Sequence, residues 1–362
     1  MPEGTVTFAL TGDVMLGRGV DQILPHPGDP ALREDFVRDA RDYVALAEAA
    51  NGPIPRPVDA CWPWGEALPA LERAAPDVRV LNLETAVTAD GDFAPGKAVH
   101  YRMHPANLPC LTAARPDVCA LANNHVLDFG PRGLTRTLAA LTAAGLRTAG
   151  AGRDTDTARR PAAVPLPAGG RALVFSYGLP SSGIPHDWAA TAGRPGVALL
   201  TEDALRDLAD RLRRPGDLVV VSVHWGPNWG YAVSHAETRL AHALVDAGAD
   251  IVHGHSSHHP RPLEIHRGRL VLYGCGDFVD DYEGIGGQER YRDDLRLLHL
   301  ASLDPATGRL TGLRLVPFQA RRMRLEPASR QDTAWLRTTL APRARGARIE
   351  ESTDGTLTVR VL

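Results

Sequence analysis

The sequence predicts an α/β fold in which short buried strands alternate with helices. Short runs of up to six residues rich in Val, Leu or Ile recur over the first 275 positions. Such runs are typical of strands that are buried on both faces of a sheet. Segments with helical start and stop signals separate them. Most of the runs end directly in polar residues, and α/β sheets bind ligands beyond the carboxyl ends of their strands.

The predicted strands are short, and each leads into a loop that contains polar residues or glycine. They cover residues 5–10, 78–83, 118–122, 218–223, 251–252 and 270–273. Their alternation with helices up to residue 275 favours a layered α/β architecture over a bundle or an all-β fold.

Helices are predicted between these strands. Ser234 and Glu237 form a capping-box pattern that opens a helix over residues 236–247, which Gly248 would end. Pro131 suits the first turn of a helix that runs through residue 141. Three further helices are predicted over residues 32–50, 201–212 and 332–340.

We expect one domain over residues 1–362. The segment 20–64 is longer than an ordinary connection and lies beside the first polar loop, so a lid is one interpretation of it. From residue 295 the pattern becomes strand-like, with runs at 295–303 and 310–316. We expect residues 295–362 to complete a second sheet and not to form a separate domain.

Composition disfavours several classes of function. A net charge of −3 provides no basic field, so nucleic-acid binding is not expected. The four cysteines lack CxxC spacing and are interpreted as reduced core residues. The first residues contain no basic segment and no long apolar stretch, so we expect a cytoplasmic protein without signal peptide or membrane anchor. Lys97 is the only lysine, which we interpret as coding bias.

The candidate site consists of polar residues that follow the predicted strands. Carboxylate, amide and imidazole groups form a mixed nitrogen and oxygen set, which suits a divalent ion such as Mn, Fe, Zn, Mg or Ca. The residues are Asp13, Glu84, Asn124, His125, His224, His255 and His258.

Two motifs carry most of this prediction. HGHSSHHP, residues 253–260, contains four histidines that could reach a metal, a substrate and a supporting partner; the alternative is a histidine-rich surface loop. In LANNHVLDFG, Asn124 can offer an amide oxygen, His125 can transfer protons, and Asp128 can orient the imidazole. The alternative is a turn with a capping role. Asp13, Glu84 and His224 are weak signals individually, because a turn, a solvated edge or a buried histidine explains each equally well.

Other groups are less informative. The acidic residues after GCG could supply a carboxylate, but a solvated loop is the better interpretation. The aromatic residues near the site loops could form a substrate wall or pack in the core. Without a GxSxG motif, covalent serine or cysteine catalysis is not expected. The residues concerned are Asp277, Asp280, Asp281 and Glu283, and Trp62, Trp64, Trp225, Trp229 and Tyr231.

Six motifs occur in order between residues 11 and 278: TGDVMLGR, VLNLE, LANNHVLDFGPRGL, VSVHWG, DAGADIVHGHSSHHP and LYGCGDF. As a set they resemble the bacterial capsule-synthesis (CapA-like, poly-γ-glutamate capsule) family, which is related to the calcineurin-like metallophosphoesterases. The resemblance implies a four-layer α/β/β/α sandwich of two mixed sheets with flanking helices. It also implies an acid/base role for His125 and a metal shell of Asp13, Glu84, Asn124, His224 and His255.

The chain departs from the metallophosphoesterase pattern in three places. Asp13 is followed by Val14 and Met15, where an Asp-x-His pair is common. Glu84 stands where an aspartate is usual, and the closing GHxH is stretched to GHSSHH. The missing histidine weakens one half of a two-metal site, so we expect one well-held ion. A single ion is less suited to clamping both oxygens of a phosphoryl displacement.

Two His/carboxylate pairs are then available for proton transfer: His125 with Asp128, and His258 with Asp13. Two such pairs on opposite sides of a substrate could remove a proton from one face of a carbon atom and return it to the other face. The chain resembles a member known as a lasso-peptide epimerase, which implies epimerisation at the Cα of a peptide residue. The alternative is a metal-dependent hydrolase of phosphoesters or of poly-γ-glutamate amide bonds. A non-enzymatic partner in capsule assembly is the third hypothesis, which the expected lack of an anchor disfavours.

Overall fold

The computed structural model describes residues 4–167, 169–210 and 216–362. Its strands and helices alternate over most of the chain. The strands β1 to β20 are Val6–Val14, Val78–Leu83, Ala86–Val87, Arg102–Met103, Val118–Ala120, Arg147–Ala149, Ala151–Gly152, Ala162–Pro165, Arg171–Gly178, Gly196–Val197, Leu218–His224, Ile251–His255, Leu263–His266, Arg269–Leu272, Asp277–Val279, Leu295–Leu303, Leu310–Ala320, Leu325–Pro327, Ala347–Glu351 and Leu357–Val361. The helices α1 to α9 are Arg18–Ile23, Arg41–Asn51, Ala67–Ala74, Leu108–Ala113, Gly130–Ala143, Thr155–Arg159, Glu202–Asp210, His235–Asp246 and Arg330–Leu340.

The larger sheet has the order β19-β20-β17-β16-β1-β2-β5-β6, with β15 also paired to β1 and β18 to β17. Strands β1, β2, β5 and β6 run parallel, whereas β16 pairs antiparallel with β1 from Val6–Leu303 to Leu10–His299. The strands after residue 295 therefore extend the sheet of β1, whereas the sequence predicts that they complete a second sheet. The cause is the long-range pairing of β16 with β1, which no local pattern specifies.

The smaller sheet has the order β13-β14-β12-β11-β9-β8. Strands β9, β11, β12 and β14 are parallel, and β8 and β13 form antiparallel edges. Each sheet thus contains a parallel centre whose carboxyl ends can present side chains to one site.

Three buried clusters define four layers. Phe8 of β1 shares a cluster with Val174 of β9 and Val220 of β11, so the two sheets pack face to face. Ala9, the next residue along β1, belongs to a second cluster that includes helices α1, α2, α3 and α5. Leu244 of α8 lies in a third cluster on the outer face of the smaller sheet. Because successive strand residues point to opposite faces, this alternation gives the α/β/β/α sandwich, and the predicted fold is confirmed.

Most predicted helices are present, with one clear exception. Ser234 and Glu237 form the capping box of α8, and Pro131 lies in the first turn of α5. The helix predicted over residues 201–212 is observed as α7, and residues 211–212 lie outside the described residues. The helix predicted over 32–50 is wrong in its first part, because residues 31–39 close a loop through a bridge between Ala31 and Asp39. Helix α2 begins only after that loop.

The segment 20–64 packs on the outer face of the larger sheet. Val44 and Ala47 of α2 are fully buried in the cluster beneath the helices. Val58 donates its N–H to the carbonyl oxygen of Ile23, which ties the end of the segment to α1. The role of this segment as a lid stays a prediction.

Arg18, at the start of α1, is an almost fully buried cation. Its guanidinium pairs with Asp281 and Glu34 and lies 3.9 Å from the Tyr43 ring centre and 4.4 Å from the Tyr101 ring centre. Replacing Arg18 with methionine leaves Asp281 buried without its cation, so we expect the free energy of unfolding to fall by about 3–5 kcal/mol. Urea unfolding measures this loss. As a control, Arg41→Met removes an exposed pair with Asp39 and should leave the midpoint unchanged; equal losses in both variants would contradict the prediction.

The four cysteines are free. Cys110, Cys119 and Cys275 are buried, as predicted for core residues, whereas Cys61 is exposed and the prediction is wrong for it. Within the described residues, no helix is long and apolar enough to cross a membrane.

Candidate metal and acid–base site

The site lies where the parallel strands of both sheets end. Asp13 is in β1, beside Asn82 of β2 on one side and Asp277 of β15 on the other. His224 and His255, the last residues of β11 and β12, are register partners. The loops after β2 and β5 carry Glu84, Asn124 and His125. Parallel alignment therefore gathers residues that are up to 264 positions apart in sequence.

The predicted metal ligands contact one another. His224 Nε2 lies 2.9 Å from Asn124 Oδ1 and 3.7 Å from Glu84 Oε1. His224 Nδ1 lies 2.7 Å from His255 Nδ1, which is 3.9 Å from Asp13 Oδ1. Asp13, His224 and His255 each offer a donor atom within 4.8 Å of the others. The sequence therefore identified a set of side chains that the fold brings together.

The electrostatics of this set fit a divalent cation. Burial and the neighbouring charge of Asp277 raise the pKa of Asp13 to about 7. Burial and the charge of Asp13 likewise raise the pKa of Glu84 well above its usual range. Burial lowers the pKa values of His224 and His255, so both imidazoles are neutral and can offer a nitrogen lone pair to an ion. A divalent ion would offset the buried negative charge and accept the imidazole lone pairs.

Asn82 belongs to the candidate site, although it is not among the residues predicted from the sequence. Its Nδ2 donates to Asp13 Oδ1 at 2.8 Å and to Glu84 Oε2 at 2.8 Å, so one amide holds both carboxylates. Its Oδ1 accepts from Asn123 Nδ2 at 3.0 Å. The motif NLE could have indicated this residue. It is polar and lies two positions before Glu84, so both side chains point to the same face of the strand.

Two further residues position His255, one of the candidate ligands. Ser222 Oγ lies 2.8 Å from His255 Nε2 and 3.1 Å from His253 Nδ1. His253 Nε2 in turn lies 2.8 Å from the carbonyl oxygen of Thr11 in the other sheet. His253 therefore bridges the sheets and supports the site indirectly, as outer partners of metal-binding histidines commonly do.

His125 and Asp128 form the first His/carboxylate pair, as the sequence predicts. His125 Nδ1 lies 2.6 Å from Asp128 Oδ2, which also accepts the N–H of Tyr101 at 2.7 Å. Burial lowers the pKa of His125 to about 4, although the Asp128 carboxylate opposes the shift. The imidazole is therefore neutral near pH 7, with Nδ1–H directed at Asp128 and Nε2 able to accept a proton.

His258 forms the second pair, but with Asp277 and not with Asp13. His258 Nδ1 lies 3.0 Å from Asp277 Oδ1. Asp13 is instead held by Asn82 and by the backbone N–H of Ser256, 3.2 Å from its Oδ2. The reason is topological, because β15 pairs with β1 and brings Asp277 into register with Asp13. Burial opposes the charged form of His258, yet the Asp277 carboxylate outweighs it and raises the pKa of the imidazole.

The acidic segment after GCG is not the solvated loop that the sequence predicts. Asp277 is fully buried, and Asp280 and Asp281 are also buried. Asp280 pairs with Arg296, and Asp281 pairs with Arg18. Long-range arginine partners make this burial possible, and a local sequence pattern does not reveal them. Glu283 is half-buried and accepts from the N–H groups of Arg322 and Met323.

Both histidines of the proton-transfer pairs line one cavity of about 220 Å³. Three of the candidate metal ligands line the cavity, so a substrate could contact an ion and both imidazoles. Its lining is formed by Glu84, Lys97, Ala98, Val99, Asn124, His125, His224, Asn228, Ser256, His258 and Tyr282.

Of the five candidate aromatic residues, two lie beside the site. The Trp229 ring centre is 5.2 Å from that of His258, and Tyr231 is 4.6 Å from His259. Trp64 and Trp225 are buried in the core, and Trp62 donates its indole N–H to the carbonyl oxygen of Arg322. Packing therefore explains the other three.

A second group of potential ligands lies apart from this site. His242, Glu264 and His266 place donor atoms within 4.8 Å of one another. However, the rings of His242 and His266 stack at 3.7 Å with an interplanar angle of 7°. Because imidazole lone pairs lie in the ring plane, those of two stacked rings cannot converge on one ion. This arrangement does not fit metal binding.

Comparison with known proteins agrees with these motifs. Residues 7–282 match the family described as bacterial capsule synthesis protein PGA_cap. The probable polyglutamine synthesis accessory protein of Mycobacterium tuberculosis (strain CDC 1551 / Oshkosh) is 57% identical over 98% of this chain and 96% of its own length. The PGA biosynthesis protein CapA of Bacillus subtilis (strain 168) is 24% identical over 80% of this chain and 66% of its own length.

A solved structure, a novel phosphatase from Mycoplasma pneumoniae, is similar with a TM-score of 0.47 and 11% identity. The similarity covers 90% of this chain and 95% of that one. The family match spans all six motifs, and it includes every candidate ligand from Asp13 to His255. The chain belongs to the bacterial capsule synthesis protein family.

Proposed function

We propose that the protein is a metal-dependent hydrolase that acts on an amide bond of a glutamate-containing chain. The observation that carries the proposal is a single cavity onto which candidate metal ligands, a histidine of lowered pKa and a histidine of raised pKa all open. The names of the relatives, polyglutamine synthesis accessory protein and PGA biosynthesis protein, suggest the substrate class.

One ion is proposed, held by Asp13, Glu84, Asn124, His224 and His255. When bound, a divalent ion supplies a Lewis acid and a coordinated water of lowered pKa. Met15 is buried where many metallophosphoesterases offer a histidine, so no nitrogen ligand is present at that position for a second ion. This favours amide over phosphoester hydrolysis, because phosphoryl displacement uses two ions to clamp both oxygens.

The pKa values of the two histidines are shifted in opposite directions. His125, with its lowered pKa, can take a proton from the attacking water at Nε2 while Asp128 holds Nδ1–H. His258, with its raised pKa, can donate a proton to the departing amine. A base and an acid on one cavity are what hydrolysis of an unactivated amide requires.

The second candidate is epimerisation at the Cα of a peptide residue, as the sequence analysis proposes. It is favoured by the presence of two His/carboxylate pairs on one cavity, since each could exchange a proton with the Cα. In that reaction His125 and His258 would act on opposite faces of the substrate, and no bond to nitrogen would break.

The test combines metal analysis with three substrates. Purified protein is assayed with a generic phosphoester, with α- and γ-linked glutamate peptides, and with the same peptides in deuterated water. One bound ion with release of free amine would support the proposal. Deuterium at Cα without amine release would establish the epimerase instead, and two ions with phosphate release would establish a phosphoesterase. His224→Ala protein prepared in parallel controls for contaminating hydrolases.

A further inference from the structure

Lys97 reaches the candidate site from the connection between β3 and β4. Its Nζ donates to the Asp128 carboxylate and to the backbone carbonyl of Asn124. The same nitrogen lies 3.3 Å from His125 Nδ1. The side chain is 14% exposed, and Trp188 covers it with its ring centre 5.0 Å away. Lys97 therefore contacts the proton-transfer pair and the loop of a proposed metal ligand at once.

The residue type at this position is unusual for the chain. Lys97 is the only lysine among 40 lysine and arginine residues, so arginine serves wherever else a cation is needed. An ammonium carries its three donors on one atom, whereas a guanidinium spreads its donors over a plane of three nitrogens. Two acceptors converge here on a single point, which Trp188 encloses. This arrangement fits an ammonium and not a planar guanidinium. Coding bias, the interpretation from sequence alone, does not explain a lysine here.

We infer that Lys97 is a positioning residue, which fixes the His125–Asp128 pair relative to the loop that carries Asn124. This inference rests on the proposed function of His125. The Asp128 carboxylate is fully buried and accepts from three groups: His125, the Tyr101 N–H and Lys97. Without Lys97 the carboxylate loses its cation, so the imidazole that it orients loses its fixed direction.

The expected result is a defect in turnover and not in binding. Lys97→Met and Lys97→Arg should lower kcat by about 10–100-fold, the usual cost of losing a partner that orients a functional group. KM and the amount of bound metal should change little, because Lys97 contacts the carbonyl and not the amide oxygen of Asn124.

Chemical rescue separates a positioning role from general damage to the fold. Lys97→Cys is made together with Cys61→Ser, since Cys61 is exposed and the other three cysteines are buried. Alkylation with 2-bromoethylamine restores an ammonium at nearly the length of lysine, whereas iodoacetamide adds a neutral amide. Recovery of kcat with the first reagent alone supports the inference. Equal recovery with both reagents, or full kcat in Lys97→Arg, would overturn it.

A readout without turnover keeps the test independent of the proposed reaction. The Nδ1–H proton of His125, bonded to Asp128, should give a downfield ¹H NMR signal that disappears in His125→Gln. We expect this signal to shift or broaden in Lys97→Met and to return after aminoethylation of Lys97→Cys. An unchanged signal in Lys97→Met would overturn the inference. If the wild-type protein neither hydrolyses nor epimerises peptides while the signal responds, the proposed function fails and the positioning role stands.

Discussion

Replacing His224 with alanine is expected to remove the bound divalent ion and the activity together. His224 is 1% exposed and contacts three other candidate ligands, namely Asn124, Glu84 and His255. Its loss removes a neutral nitrogen donor that lies 3.7 Å from Glu84 Oε1. We expect metal affinity to fall by more than about 100-fold, beyond the cost of losing an outer partner.

The measurement is metal content after dialysis, together with peptide hydrolysis at saturating Mn²⁺ or Zn²⁺. His299→Ala is the matched control, because His299 is a similarly buried histidine of β16 that does not line the cavity. Both variants lose buried contacts, so both should unfold at lower temperature. Only His224→Ala should lose metal. A His224→Ala protein that keeps stoichiometric metal would contradict the proposed ligand set.

Much of this site could be predicted because strand ends are local features. A buried apolar run followed by Asp, Asn or His identifies a strand and the residue at its carboxyl end, as it does for Asn124 and His224. In a parallel sheet all such ends lie on the same edge. The prediction of the site residues therefore needed no knowledge of strand order. It did not depend on the expectation for residues 295–362, which was incorrect.

The parts that could not be predicted depend on contacts between distant residues. Asp277 lies next to Asp13 only because β15 pairs with β1, which places residues 264 positions apart in register. Lys97 lies in a connection with no regular pattern, and Trp188, which covers it, comes from another loop. Burial of Asp280 and Asp281 requires Arg296 and Arg18. Such partners leave no periodic signal in the sequence around either residue.

The second large effect is expected for His258 and Asp277. In this pair the structure shows a partner for the histidine that differs from the predicted one. His258→Gln removes the acid that would protonate the leaving amine, so kcat should fall by about 10²–10⁴-fold. Asp277→Asn should have a comparable effect, because the carboxylate keeps the pKa of His258 raised. The double variant should be little worse than either single variant, since residues that act as one unit are not additive. Bound metal should remain in all three.

The pH dependence of kcat tests whether His258 acts as an acid. The imidazole acts as an acid in its protonated form, so kcat of the wild-type protein should fall as pH rises through its raised pKa. This alkaline limb should disappear in His258→Gln. His259→Gln is the matched control, because His259 is the neighbouring buried histidine but does not line the cavity. If His258→Gln instead lost metal, His258 would be a ligand and the departing amine would need another acid, for which Tyr282 on the cavity wall is one candidate.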